Sequence, residues 1–408
     1  MNKLFIPATP TTYTLELTSR CNSVCVGCGN VFNRDFGEIP VERWRHLLSQ
    51  LRPHIVSMRI TGGEPTLHPQ FAELIHLVDS LNVPFVLFSN GLWRRRDETL
   101  TLLQTCTNLD GVLISLHGRS PKSHHAFTGV DSFASVTDTI RLAAAAGLFI
   151  NTNTVLTRRN YEDVPAIAAL SQELGARFAA FSRYYGPPTP VTNLTEAEFR
   201  QAAKTVHRLR QEGLRVQFNN CVPSCFDGKP TKSCPAGITS CTIDPFGSVR
   251  PCTHAPHILG NLFSQTIQEI WHNEAAQQWR ALIPSACVDC AEFTRCRGAC
   301  KAMAFHVGQD QDPLMQKPMI HNLPIQQPSH VKLYQHARPQ QNFTLREERF
   351  GYLLANRNQL IPVKPEAKPI LDALDGQTTL QQIQDTFGQS GLILVTYLFN
   401  KGLIKLAQ

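Results

Sequence analysis

The sequence predicts an α/β protein in which repeated strand–helix units build a parallel sheet, followed by a cysteine-rich segment and a small α+β module. Three observations carry that expectation. Residues 12 to about 220 alternate short β-rich runs with amphipathic stretches. Nine of the 13 cysteines fall between 221 and 300. Beyond residue 341, two short strand-like runs give way to helical ones.

The candidate strands are 12–17, 55–60, 84–89, 111–116, 148–156 and 177–183. Helical segments separate them; Val41, Trp44, Leu47, Leu48 and Leu51, for example, form one apolar stripe at helical spacing. Such alternation calls for parallel strands with right-handed crossovers, in either a doubly wound sheet or an incomplete barrel. Both place ligands at the C-terminal ends of the strands. The polar clusters obey that rule. The first strand runs into Cys21-Asn-Ser-Val-Cys25-Val-Gly-Cys28, the second into Gly62-Gly63-Glu64-Pro65, the third into Ser89-Asn90-Gly91, and the fourth carries Ser115. Glycines there permit close approach to the backbone, and the Glu64 carboxylate is of the type that accepts hydrogen bonds from an ammonium group.

The chain has 408 residues, more than the ~250–300 at which single cores stop growing, so two or three domains are expected. Its net charge of +7 contains no block of five like charges, and Arg94-Arg95-Arg96 reads as a solvated helix start, so charge gives no reason to expect nucleic-acid binding. The N-terminus lacks a sustained apolar signal region and no apolar run approaches the ~18 residues of a membrane span, which points to a soluble, cytoplasmic protein. Thirteen cysteines in that setting point to metal and not to disulfides.

Three thiolates at C-x3-C-x2-C can hold three corners of a four-iron cluster and leave one iron open for a reactant. Zinc is the competing reading, although three ligands do not close a tetrahedral site. The pairing of this motif after a first strand with Gly-Gly-Glu-Pro after a second resembles the radical S-adenosylmethionine (SAM) enzymes. The resemblance covers roughly residues 10–220 and implies a partial (β/α)6 barrel. It implies that Cys21, Cys25 and Cys28 hold a [4Fe-4S] cluster whose open iron binds SAM. It further implies that Gly62, Gly63 and Glu64 receive the methionine amino group and that Ser115 contacts SAM. The sequence departs from the family at Gly27, where an aromatic residue is common.

The later cysteines resemble the SPASM extension of peptide-modifying radical SAM enzymes. Cys234, twelve residues, Gly247, four residues and Cys252 match its first part; Cys287, Cys290, Cys296 and Cys300 match its C-x2-C-x5-C-x3-C second part. The resemblance implies one auxiliary cluster on Cys234, Cys241, Cys252 and Cys300, and a second on Cys287, Cys290 and Cys296. The family's final cysteine is missing, since none follows Cys300, so Cys221 or Cys225 is expected to complete the second cluster. Cys106 reads as core, and His254 and His257 as surface residues beside Cys252.

Residues 307–340 lack periodicity and read as a linker. The last segment resembles the PqqD-like peptide-recognition domain through Glu348-x-Phe350-Gly351-x-Leu353-Leu354 and Ile370-Leu371-x-x-Leu374-Asp375-Gly376, with strands at 349–354 and 359–363 and helices at 366–374, 379–388 and 391–402. Leu371, Leu374, Leu380, Ile383, Phe387, Ile393, Tyr397 and Leu398 form its expected core in a small winged-helix-like α+β fold. Such domains capture a precursor's leader by strand addition. The expected domains are therefore 1–220, 221–306, 307–340 and 341–408.

Together the resemblances imply a maturase acting on a ribosomally made precursor peptide, with a flavodoxin or ferredoxin as electron donor. Two auxiliary clusters favour net oxidation, giving a thioether or carbon–carbon crosslink or backbone excision. The alternatives are a peptide epimerase, a sulfatase-type protein oxidase and, from another class, an iron–sulfur DNA-binding regulator. No Ser-His-Asp or paired-carboxylate arrangement stands out, so no residue is singled out as steering the substrate radical.

Overall fold

The computed structural model describes residues 4, 6–28, 37–186, 188–228, 233–321, 334–356 and 359–407. Two compact units divide at Leu323/Pro324.

The first unit is organised on one ten-stranded sheet. Its parallel strands are β1 (Thr12–Glu16), β2 (Ser57–Thr61), β3 (Phe85–Ser89), β4 (Leu109–Ser115), β5 (Ile150–Leu156), β6 (Phe178–Arg183) and β7 (Val216–Phe218). Each expected strand is present within two residues of its expected start. Helices α1 (Val41–Leu51), α2 (Phe71–Asp79), α3 (Arg96–Thr105), α4 (Pro121–Thr128), α5 (Phe133–Ala145), α6 (Val164–Glu173) and α7 (Glu196–Gln211) lie between them. The stripe Val41, Trp44, Leu47, Leu48 and Leu51 is buried on α1, where it shares a core with Tyr13, Leu15, Met58 and Ile60 of the sheet. Burial alternates along β5, from Ile150 to Leu156, so Asn151, Asn153 and Val155 face away from that core.

The cysteine-rich segment extends the same sheet. Strand β8 (Ser240–Ile243) pairs parallel with β1, and β9 (Ser248–Arg250) and β10 (Gly260–Asn261) continue antiparallel from it, giving the order β10-β9-β8-β1-β2-β3-β4-β5-β6-β7. An open β1 edge would present unpaired backbone groups; β8 satisfies them. Residues 12–220 and the cysteine-rich segment therefore form one compact unit, not two separate bodies. The expected linker 307–340 is also narrower. Asp312 and Leu314 are buried in the first unit and 338–341 form a strand, while 322–333 lie outside the described residues.

The second unit contains a three-stranded antiparallel sheet, β12 (Thr344–Glu348), β13 (Gly351–Asn356) and β14 (Gln359–Val363), and a two-stranded one joining β11 (Arg338–Gln341) to β15 (Ile404–Ala407). Its helices are Lys368–Asp372 and Leu380–Asn400, the latter bent at Gly388. Leu354, Leu371, Leu374, Leu380, Ile383, Val395, Leu398 and Leu403 are its core. Ile393 and Tyr397, expected in that core, are instead 63% and 42% exposed. The turn Ala355–Asn358 lies partly outside the described residues.

Candidate functional site

At the C-terminal ends of β1 to β4 the backbone of two loops is pressed together. The amide of Gly63 donates to Thr18 O at 2.8 Å and that of Glu64 to Arg20 O at 2.7 Å, directly before Cys21. A Cβ on Gly62 would stand 2.5 Å from Thr18 O, and one on Gly63 would stand 2.3 Å from Arg20 O. Only glycine fits this approach. The Gly-Gly turn is thus the seat on which the cysteine loop rests, and Glu38 steadies the same stretch by pairing with Arg20 at 2.9 Å and accepting from Thr18 Oγ1 at 2.8 Å.

Glu64 ties this seat to the next strand. Its carboxylate is 0% exposed and accepts from Thr66 Oγ1 at 2.7 Å, Ser89 Oγ at 2.9 Å and Asn90 N at 2.7 Å. Burial raises its pKa against these donors. It locks the β2 and β3 loops together. Asn90 continues the connection, its Nδ2 donating to Asn22 Oδ1 at 2.7 Å and lying 3.8 Å from Cys21 Sγ. Cys25 is pushed up to about 12, first by burial and then by the charges of Cys28 and Cys21, which places the three thiols in one electrostatic environment. Ser115, the last residue of β4, lies half-buried on the face opposite Ile114 and Leu116.

The glycine before the third cysteine has a steric reason. A Cβ on Gly27 would meet the Phe127 ring at 2.9 Å and the Tyr184 ring at 3.2 Å. Phe127 is itself stacked on His117 with ring centroids 3.9 Å apart, and Val26 N donates to Phe127 O at 2.9 Å. Aromatic surface therefore reaches this part of the loop from α4 and from the segment after β6.

The remaining cysteines divide into two groups. Cys225, Cys287, Cys290 and Cys296 line one pocket. Cys287 is pushed up to about 12 by burial and by the charges of Cys296, Cys290 and Cys225. Two backbone amides turn onto these sulfurs, Gln316 N to Cys225 Sγ at 3.3 Å and Met319 N to Cys290 Sγ at 3.4 Å. Both come from the stretch that sequence reading treated as linker, and backbone donors carry no side-chain signal by which to find them.

In the other group Cys221 is hydrogen-bonded to Cys234 and Cys300, which raises its pKa. Cys234 is drawn down to about 7 by the bond from Cys221, the Ala236 amide and the Lys301 and Arg297 cations, against burial. Cys252 is pushed up by burial and by the charges of Cys234 and Cys300. Cys241, expected in this group, stands fully buried on β8 with burial alone acting on its thiol. Cys221 and Cys225, offered as alternatives for one place, thus belong to different groups. Among the described residues no three His, Cys, Asp or Glu side chains are arranged to hold a single metal ion.

Sequence reading missed the buried polar frame between these groups and the sheet. Arg183, ending β6, pairs with Asp312 through two contacts of 2.8 Å, Asp312 accepts from Cys300 N at 3.1 Å, and Tyr185 Oη lies 3.8 Å from Cys221 Sγ. His254 and His257, expected at the surface, are half-buried, packed against Tyr185 and Trp279. Cys106 caps α3 and packs partly against the core.

Residues 15–170 match the radical SAM superfamily model, and 234–301 match that of the SPASM iron-sulfur cluster-binding domain. The chain is 31% identical over 321 residues to the mycofactocin maturase MftC of Mycobacterium tuberculosis, covering 74% of this chain and 81% of that one. It is 27% identical over 320 residues to the PqqA peptide cyclase of Streptomyces rochei, covering 72% and 85%. With the subtilosin biosynthesis protein AlbA of Bacillus subtilis the identity is 28% over 280 residues, 66% and 62% of the two chains. Among solved structures, Streptococcus suis SuiB bound to precursor peptide SuiA superposes with a TM-score of 0.65 at 18% identity, covering 75% of each chain. The anSMEcpe structure with bound AdoMet and Cp18Cys peptide gives 0.60 at 18%, covering 76% and 93%.

Proposed function

The chain belongs to the radical SAM superfamily and carries a SPASM iron-sulfur domain, and from this premise we propose that it is a maturase that modifies a ribosomally made precursor peptide. What supports the reading is that its relatives include a mycofactocin maturase and a peptide cyclase, matched over most of their lengths. The cofactors are [4Fe-4S] clusters and SAM. When bound, the cluster and SAM supply a 5′-deoxyadenosyl radical that removes hydrogen from an unactivated carbon. The outcome proposed for the peptide is net oxidation, as a thioether or carbon–carbon crosslink or backbone excision.

In this reading the chain's own residues hold, orient and enclose. Cys21, Cys25 and Cys28 hold the first cluster, and three thiols leave one iron free. Gly62 and Gly63 set the height of that loop, Glu64 braces it from below, and Ser115 faces the same space from β4. Cys221, Cys234, Cys252 and Cys300 hold one auxiliary cluster. Cys225, Cys287, Cys290 and Cys296 hold the other, with Gln316 N and Met319 N donating to its sulfurs, a placement that tunes such centres. The donor sets fit in number and type. Cys241 serves the sheet core. The second unit takes the leader peptide as an added strand on an edge of its β12-β13-β14 sheet, and a flavodoxin or ferredoxin delivers electrons.

Co-expression with any small peptide encoded beside the gene, followed by mass spectrometry, tests the activity. A loss of about two hydrogens is expected for a crosslink, and a larger loss for excision. Protein that fails to cleave SAM under reducing, anaerobic conditions refutes the reading. Iron counts test the ligand sets separately: Cys221→Ala and Cys225→Ala each lose iron, whereas Cys241→Ala retains it.

A further inference from the structure

Arg59 occupies the middle of β2, and strand alternation sets it on the concave face of the sheet. Its flanking residues Met58 and Ile60 are 1% and 0% exposed and belong to the core beneath the helices, so Arg59 and Thr61 turn the other way. The parallel register places Thr14 of β1 and Val86 of β3 beside it; next to Val86 comes Gly111 of β4, which adds no side chain. Arg59 thus lies one layer inside the rim on which the cysteine loop rests, half-buried and facing the space the barrel encloses.

Nothing in the described chain balances its charge. No ion pair or hydrogen bond reaches the Arg59 guanidinium among the described residues, and burial is the only influence on its pKa, which it lowers. The arginines buried deepest in this unit are committed. Arg183 is held by Asp312, Arg250 by Glu16, and Arg280 by the carbonyls of Gly237 and Trp271. The carboxylate that β1 contributes to the same face, Glu16, is therefore already taken.

A half-buried guanidinium that faces this space with no ion pair or hydrogen bond among the described residues is free to take an anionic ligand. Its planar fork matches a carboxylate. We propose that Arg59 receives a carboxylate of the peptide substrate, from an acidic side chain or the C-terminus, and so holds the residue to be modified just beneath the radical source. This rests on the peptide-maturase reading. SAM also brings a carboxylate, and the experiment separates the two sources.

Reconstituted full-length protein, as wild type and R59Q, is saturated with SAM and then titrated with propionate or with its uncharged analogue propionamide while thermal unfolding is followed. Propionate is expected to raise the wild-type Tm, propionamide to leave it unchanged, and R59Q to lose the response. SAM affinity by equilibrium dialysis is expected to agree within about twofold between the two proteins, and ligand-free R59Q to be at least as stable as wild type. The proposal is overturned by any of four results: no propionate response in the wild type, the same response in R59Q, a loss of SAM affinity of about tenfold in R59Q, or an R59Q protein that unfolds more readily than wild type. These readings need no peptide turnover. Failure of the maturase reading shows elsewhere, as SAM cleavage with no mass change in the co-expressed peptide.

Discussion

Individual residues explain where this chain departs from what its motifs lead one to expect. Gly27 is visible in the sequence as an exception, but its reason is the ring of Phe127, more than 90 positions away, at 2.9 Å from a would-be Cβ. The same neighbourhood contains two enclosed histidines. His117 Nδ1 accepts from Val155 N and His124 Nδ1 from His117 N, both at 3.2 Å, so both rings must be neutral. Burial, before any other cause, lowers His117 to about 3 and His124 to about 4. An unfolded histidine titrates near 6.5, so the unfolded chain binds more protons below that pH. Stability is full above about pH 6.5 and falls as pH drops toward the folded values, by about 1.4 kcal/mol per unit for each ring. His124→Asn, which keeps an acceptor for the His117 amide, should shed about half of the loss between about pH 6 and pH 5 in urea titrations. Equal acid sensitivity in the two proteins would show that these rings are not the cause.

At the scale of elements, apolar periodicity placed the strands of the barrel and α1 because each buries one continuous stripe of its own residues. Periodicity was less informative in the last helix. Gly388 adopts φ 64° and ψ −159°, which re-phases everything after it, so Val395 and Leu398 turn inward while Ile393 and Tyr397 turn out. A Cβ at Gly388 would meet nothing within 4 Å, so substitution there tests backbone strain alone. Gly388→Ala should destabilise the second unit by about 1–2 kcal/mol, measured by chemical denaturation. A neutral result would mean that the bend is not required. The cysteine-rich strands are a second case. β8 is short and carries Cys241, a cluster ligand by the family resemblance, and it pairs with β1 so that Cys241 lies opposite Tyr13 in the sheet.

For the whole molecule, the division at Leu323/Pro324 separates a unit with cysteine-rich strands built into its central sheet from one with its own small core. Residues 334–408, expressed alone, should therefore unfold cooperatively, as seen by circular dichroism in denaturant. A non-cooperative profile would show that this core is too small to stand by itself. Residues 1–220 alone leave β1 without its β8 partner and should aggregate, an outcome that size-exclusion chromatography reads directly. Among the described residues no helix is long and apolar enough to cross a membrane.

What the sequence determined by itself was whatever is local: strand and helix stripes, the cysteine loop after β1, the two glycines and carboxylate after β2, and the spacing that marks an iron–sulfur protein. These are legible because strand ends, turns and ligand loops are written in residues a few positions apart. Tertiary structure alone decided which cysteines share a neighbourhood, that Glu64 braces loops with its carboxylate turned inward, and that Arg59 meets no counter-charge among the described residues. Those properties depend on which face of a strand a side chain occupies and on partners tens to hundreds of residues distant, such as Asp312 for Arg183 and Arg250 for Glu16. Periodicity tells a buried face from an open one; only packing tells which charges on it are answered.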